Sequence, residues 1–252
     1  MANAMDFGVQ SFCFRNFKDN NDVAAMVKQI GVSKIEVCGI HSDRFEDLVT
    51  WKDEVAIYQN AGVEIVSIGV QTFGEDMEAA RRWFECAQAA GAKYISAHFQ
   101  VGNFQTVVPK VAALCDEFGI RIGIHCHGGY CFGGSPDVLR CLLDLGGENI
   151  GVCIDTAWCM QIGPRQGKPI EWVKNRFKGR IYGVHYKDFT FGPDAMWEDV
   201  VVGTGNLDLP AFVTALDEEN FDGYAVIEYE ADPDNPVPAL TECVNSVRAA
   251  GN

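Results

Sequence analysis

A glycine returns about every 30 residues in this chain, each time closing an amphipathic stretch just ahead of an apolar run. The first four cases are Gly31-Val32-Ser33-Lys34-Ile35-Glu36, Gly62-Val63-Glu64-Ile65-Val66, Gly91-Ala92-Lys93-Tyr94-Ile95 and Gly119-Ile120-Arg121-Ile122. Glycine at that place supplies the left-handed residue that ends a helix. The repeat length is that of one strand, one helix and two short loops. The spacing therefore predicts strands at Phe7–Ser11, Lys34–Cys38, Glu64–Val70, Tyr94–His98, Ile120–His127, Ile150–Asp155, Ile181–His185 and Tyr224–Glu228.

The segments between them read as helices. Val23, Met26, Val27 and Ile30 fall at helical spacing, as do Val107, Val111, Leu114 and Phe118. Ser135-Pro136 and Asn235-Pro236 have the residue types of helix starts, and Gly167-Lys168-Pro169 opens another helix. Strand and helix alternating eight times imply a parallel sheet, and eight units in 252 residues fit a (β/α)8 barrel, one domain over residues 1–252. The interval after the seventh strand is irregular, and Trp197–Gly205 reads as a small β excursion over the barrel mouth.

Charge narrows the function. The formal net charge is −15, which disfavours nucleic acid, since proteins hold phosphate backbones through Lys and Arg. It also leans against a strongly phosphorylated substrate, unless a local cationic pocket offsets it. No apolar run approaches the roughly 18 residues of a membrane helix. Ten cysteines without a CxxC pair read as buried thiols of a cytoplasmic protein. A homo-oligomer is compatible with the sequence.

In such barrels the chemistry sits at the carboxyl ends of the strands. The polar residues there are Glu36, Gln71, His98, His125, His127, Asp155, His185, Lys187, Asp188, Glu228 and Glu230. Four of the five histidines are among them; His41 lies beyond a strand. His125 and His127 share one face of a strand, as do Glu228 and Glu230. Histidine and carboxylate from four successive strands suit one divalent ion, Mn, Co, Zn, Fe or Mg, better than calcium.

The segments Ile154-Asp155-Thr156, His185-Tyr186-Lys187-Asp188, Val202 to Pro210 and Ile227-Glu228-Tyr229-Glu230 resemble, in order and spacing, the sugar phosphate isomerase/epimerase family of xylose isomerase-like TIM barrels. The resemblance covers nearly the whole chain. Its HxKD and IExE motifs are specific to the superfamily and not to one activity. It implies metal ligands at His125, Asp155, His185 and Glu228. Many relatives carry Glu in place of His125, where it is one of two acid/base groups; a subset carries His-x-His. Relatives often have His where this chain has Trp158.

The resemblance implies a metal-dependent sugar isomerase or epimerase that removes a proton next to a carbonyl through a metal-stabilised enediolate. Glu228 is then the first candidate base and His127 the second, with Lys187 stabilising oxyanion charge. Glu36 and His98 are expected to hold sugar hydroxyls, Trp158 to stack on the ring and Arg165 to reach a substrate anion. The alternative is a lyase or dehydratase acting on a keto-sugar, keto-inositol or 3-keto-glycoside, with β-elimination from the same enediolate. The loss of one acid/base Glu fits that one-base route. A nuclease resembling endonuclease IV is disfavoured by the acidic balance, and a non-catalytic sugar-binding barrel would not require an intact metal set.

Overall fold

The structure, a computed structural model, describes residues 5–128, 132–194 and 196–251. Gly129, the second of the paired glycines after His127, lies outside them. Eight strands close into a parallel barrel: β1 (Gly8–Gln10), β2 (Lys34–Val37), β3 (Glu64–Phe73), β4 (Tyr94–Phe99), β5 (Arg121–His125), β6 (Ile150–Asp155), β7 (Ile181–Tyr186) and β10 (Tyr224–Ile227). Each pairs with its neighbours in sequence, and β1 closes the ring against β10. The eight predicted strands are these eight. β3 runs on to Phe73, and β5 ends at His125, so His127 stands in the loop beyond it.

The helices α1 (Asn20–Gln29), α2 (Leu48–Asn60), α3 (Met77–Ala90), α4 (Phe104–Phe118), α5 (Pro136–Gly146), α6 (Thr156–Gln161), α7 (Pro169–Glu171), α8 (Leu209–Glu218) and α9 (Pro236–Ala250) lie between the barrel strands or, for α9, after the last. Gly31, Gly62, Gly91 and Gly119 have φ of 88°, 70°, 76° and 66°, the left-handed values their periodic placement predicted. Ser135 stands at the N-cap of α5, but its side chain makes no capping bond there; Pro136 at the first turn sets the start. α7 widens into a π-helical turn over Trp172–Arg176.

The core lies between barrel and helices, where Val27, Trp51, Phe84, Val111, Leu142, Trp172, Phe212 and Val244 are all at most 1% exposed. Strand interiors read as apolar runs because both faces are covered. The β excursion is a hairpin, β8 (Asp188–Phe191) antiparallel to β9 (Trp197–Val200). Buried Asp188 anchors its return: its carboxylate accepts from the amides of Gly203, Gly205 and Leu207 at 2.9–3.0 Å. A Cβ on Gly205 would stand 2.5 Å from Asp188 Oδ1, so only glycine lets the chain pass that close. The nine described cysteines are free thiols, eight of them buried. No helix among the described residues is long and apolar enough to cross a membrane.

Candidate metal centre and substrate cavity

Each donor side chain is placed by the strand that carries it. β5 ends at His125, β6 at Asp155, His185 is one residue inside β7, and Glu228 follows β10. The ladder aligns Asp155 with His185, while His125 pairs with Cys153 and Val226 with His185, so the four donors come from adjoining layers at the ends of neighbouring strands. The four residues offer ligand atoms that all lie within 4.8 Å of one another. His185 Nδ1 stands 3.0 Å from Glu228 Oε2, and His125 Nε2 is 3.6 Å from Asp155 Oδ2 and 3.9 Å from Glu228 Oε2. A tetrahedral ion with ligands at about 2.1 Å needs donor separations of about 3.4 Å, the middle of that range. Among the described residues, both ring nitrogens of His125 and Oδ2 of Asp155 are buried without a hydrogen-bond partner, an expensive arrangement unless a cation engages them. The donor set therefore fits a divalent ion.

Asp155 serves two purposes. Its Oδ1 accepts from the Trp158 amide at 2.8 Å and so caps α6, while Oδ2 faces the other donors. Thr156 ties β6 to β7: its hydroxyl donates to Lys187 O at 2.5 Å and accepts from Lys187 N at 3.0 Å.

Three buried carboxylates, Glu36, Asp155 and Glu228, dominate the electrostatics. Burial, reinforced by Glu228, pushes the Asp155 carboxyl up to about 7 against the pull of Lys187. Burial also opposes charge on Glu228, but Lys187 and His185 outweigh it and hold that carboxyl well below the usual range. Burial alone would lower His185; Cys153, Glu36 and Glu228 lift it well above the ordinary imidazole value instead. Of these three, the carboxylates carry the charge, since burial keeps the Cys153 thiol protonated. His125 is pushed down to about 3, by burial first and then by His185, so it is the neutral imidazole that ligates metals.

Two of the four donors, His125 and Glu228, line a cavity of about 700 Å³, within the usual range of small-molecule sites. His98, His127, Trp158, Glu228 and Glu230 line it. His127 stacks on Trp158 at 4.1 Å and 27°. Trp158 in turn meets Phe189 and Trp197 edge-on, joining the hairpin to the cavity wall. Gly128 makes the stack feasible: a Cβ there would stand 2.9 Å from Trp158 Cε3. His127 Nδ1 lies 3.0 Å from the Gly128 carbonyl, which can only accept, so Nδ1 carries the hydrogen and Nε2 keeps its lone pair. Burial, then His125, His127 and His185, lower His98 to about 3, leaving it a neutral hydrogen-bonding group.

Three expected residues stand elsewhere. Glu36, expected at sugar hydroxyls, is fully buried behind His185: its Oε1 receives Gln10 Nε2 and lies 3.0 Å from His185 Nε2. That contact with His185 is one of charge, because Nε2 has no hydrogen bond of good geometry. Strand alternation turns Glu36 into the barrel, one layer below the mouth. Lys187, expected at substrate oxyanion charge, is 1% exposed; its Nζ pairs with Glu230 Oε1 at 2.6 Å and Asp199 Oδ2 at 3.3 Å. Arg165 is exposed in the loop after α6 and is not part of the cavity wall. Gln10 and Asp199 went unread in the sequence, Gln10 because β1 is only three residues long and Asp199 because its contact with Lys187 exists only once the hairpin folds back.

The sequence model of the xylose isomerase-like TIM barrel family matches residues 24–248. No curated protein matches the chain. Solved structures share the fold at low identity. The 3-keto-D-glucoside 4-epimerase YcjR of E. coli is 15% identical over 97% of this chain and 99% of its own, with a TM-score of 0.74. A probable 3-DHS dehydratase, AsbF of Bacillus anthracis, is 15% identical over 98% of each chain, TM-score 0.73. The IOLI protein, solved with a zinc atom bound, is 14% identical over 96% of each chain, TM-score 0.76.

Proposed function

Since the chain belongs to the xylose isomerase-like TIM barrel family, we propose that it is a divalent-metal-dependent enzyme of carbohydrates, an isomerase or epimerase that takes a proton from the carbon beside a carbonyl. The observation that carries this reading is the four-residue donor set, with its unpartnered buried lone pairs, two of whose members line a cavity of substrate size. His125, Asp155, His185 and Glu228 would hold the ion. A divalent ion there supplies Lewis-acid stabilisation of the negative charge that grows on a carbonyl and a neighbouring hydroxyl.

The chain's own groups do the rest. His127 presents the Nε2 lone pair to the cavity, held by its Nδ1 contact with Gly128 and by its stack on Trp158. It takes the α-proton and returns it to the adjacent carbon in isomerisation. Glu228, kept ionised by Lys187 and His185, is the second base on the cavity wall: in epimerisation it takes the proton from the other direction, and the imidazolium form of His127 returns one from its own side. The sugar ring packs on the exposed part of Trp158, and His98 donates or accepts at a hydroxyl.

One observation favours a second reading, a lyase or dehydratase. Glu228 Oε2 is already engaged by His185 and faces His125, and Glu230 is paired with Lys187, whereas His127 Nε2 has no hydrogen-bond partner among the described residues. One base suffices to remove a proton and expel a β-substituent.

Metal analysis after divalent reconstitution tests the foundation: about one ion per wild-type chain and a large loss in Asp155→Ala are expected. A wild type that retains no ion sinks the proposal. Deuterium uptake from D2O into keto-sugars by the loaded protein then separates the chemistries. Exchange with an isomer or epimer as product supports the first reading, and exchange with release of water or an alcohol supports the second. His127→Ala should keep the metal and lose the exchange.

A further inference from the structure

Two cations that line the same cavity have no part in the proposed chemistry: Lys18, in the connection from β1 to α1, and Arg44, in the connection from β2 to α2. Both are exposed at its rim. Lys18 Nζ donates to the Arg15 carbonyl at 2.5 Å and meets no carboxylate among the described residues. Arg44 forms no hydrogen bond or ion pair among the described residues. Elsewhere on the surface, Lys34, Arg81, Arg176 and Lys178 each meet an acidic side chain. Other surface cations also lack a carboxylate partner; what distinguishes Lys18 and Arg44 is that, among the described residues, they are the Lys and Arg side chains that line the cavity.

The backbone holds Arg44 in place. Asp43, Arg44 and Phe45 have φ of 42°, 56° and 60°, three successive non-glycine residues in the left-handed region, which is sparsely used and concentrates at functional sites. Phe45 anchors the turn: it is fully buried against Trp51, ring centroids 4.9 Å apart. Barrel order fixes the direction. Around the closed ring β1 stands opposite β5, and β2 opposite β6. The connection that carries Arg44 thus lies across the mouth from the strand of Asp155, and the one that carries Lys18 lies across from the strand of His125, although β1 also adjoins β10. The carboxylates of the wall, Glu228 and Glu230, are engaged by His185 and Lys187.

We infer that the substrate carries an oxyanion substituent, a carboxylate or a phosphate, at the end remote from its reacting carbons, and that Lys18 and Arg44 bind it. The inference rests on the carbohydrate reading above. A chain of net charge −15 repels anions at long range, but screening confines that field to about 8 Å at physiological salt, and two cations at the rim reverse it locally. The role expected of Arg165 thereby falls to residues in the connections after β1 and β2.

The test is calorimetric titration of metal-loaded protein with D-glucose 6-phosphate, D-glucuronate and methyl α-D-glucopyranoside. An anionic sugar should bind on the order of tenfold more tightly than the neutral glycoside at low salt, with the ratio shrinking as salt rises. Tighter phosphate binding assigns a phosphate ester, and tighter glucuronate binding a sugar acid. Arg44→Asn, chosen because asparagine tolerates left-handed backbone, and Lys18→Met should each cut the ratio severalfold, whereas Arg44→Lys should keep more of it. Circular dichroism checks the fold, and Lys18→Met carries the test alone should the turn not accept Asn. Equal binding of all three sugars, or a preference that survives the double variant, overturns the inference and leaves the carbohydrate reading standing. Absence of binding by all three overturns both.

Discussion

Replacing Lys187 with Met isolates the cation beneath the candidate site. The side chain is 1% exposed, and its stem would be matched by Met, so packing changes little. What disappears is the partner of Glu230 at 2.6 Å and Asp199 at 3.3 Å, together with the main charge that keeps Glu228 ionised. Removing one side of a buried pair costs about 3–5 kcal/mol, because the remaining charge stays desolvated and unmatched. At this chain length that corresponds to a fall in Tm on the order of 10 °C.

The cost should depend on pH. Burial already lifts Asp199 to about 6, with Lys187 the largest opposing pull, against about 3.9 for an unfolded Asp. Without Lys187 the folded value rises further. A carboxyl whose folded pKa is raised binds more protons folded than unfolded, so stability falls as pH rises through the window between the two values. Lys187→Met should therefore lose most at pH 8 and much less at pH 5. Thermal melts of metal-free protein at both pH values, followed by circular dichroism, measure it. A loss below about 2 °C at pH 8, or equal losses at both, would refute the reasoning.

Other perturbations read different parts of the structure. Glu36→Gln keeps the shape behind His185 and removes the charge 3.0 Å from its Nε2, so metal affinity should fall about 10–100-fold in chelator competition while the fold persists. Asp188→Ala leaves the amides of Gly203, Gly205 and Leu207 without their acceptor; a loss of about 3 kcal/mol and faster hydrogen exchange at those three amides are expected. Trp158→Ala removes the surface on which His127 stacks, so exchange of the substrate proton should slow while the bound metal is retained, as judged by metal analysis beside the D2O assay.

Much of the barrel was legible in the chain because its determinants are local. A left-handed glycine, an apolar run and an amphipathic stretch each act over a few residues, and their period of about 30 leaves few topologies open. The same locality made it possible to name strand-end residues as candidates, since a parallel barrel gathers its strand ends at one mouth; in the structure His125, Asp155, His185 and Glu228 lie within 4.8 Å of one another. The side of the barrel on which a side chain ends was less local. Glu36 sits within β2 and looked like a mouth residue, but the depth of its layer, set by the register of β2 with β1 and β3, puts it behind His185.

Sequence alone determined the repeat, the strands, the excursion after β7 and the set of residues able to bind a cation. Tertiary structure alone decided which of those residues meet. Lys187 was legible as a strand-end cation, but only the hairpin returning through Asp199 makes it a buried counter-ion. Arg44 and Arg165 are both loop arginines in the sequence, and only the closed ring sets one on the cavity rim and the other outside it. The physical reason is range: helix caps and strand alternation are fixed by neighbours along the chain, whereas charge pairing and burial depend on groups brought together from many residues away.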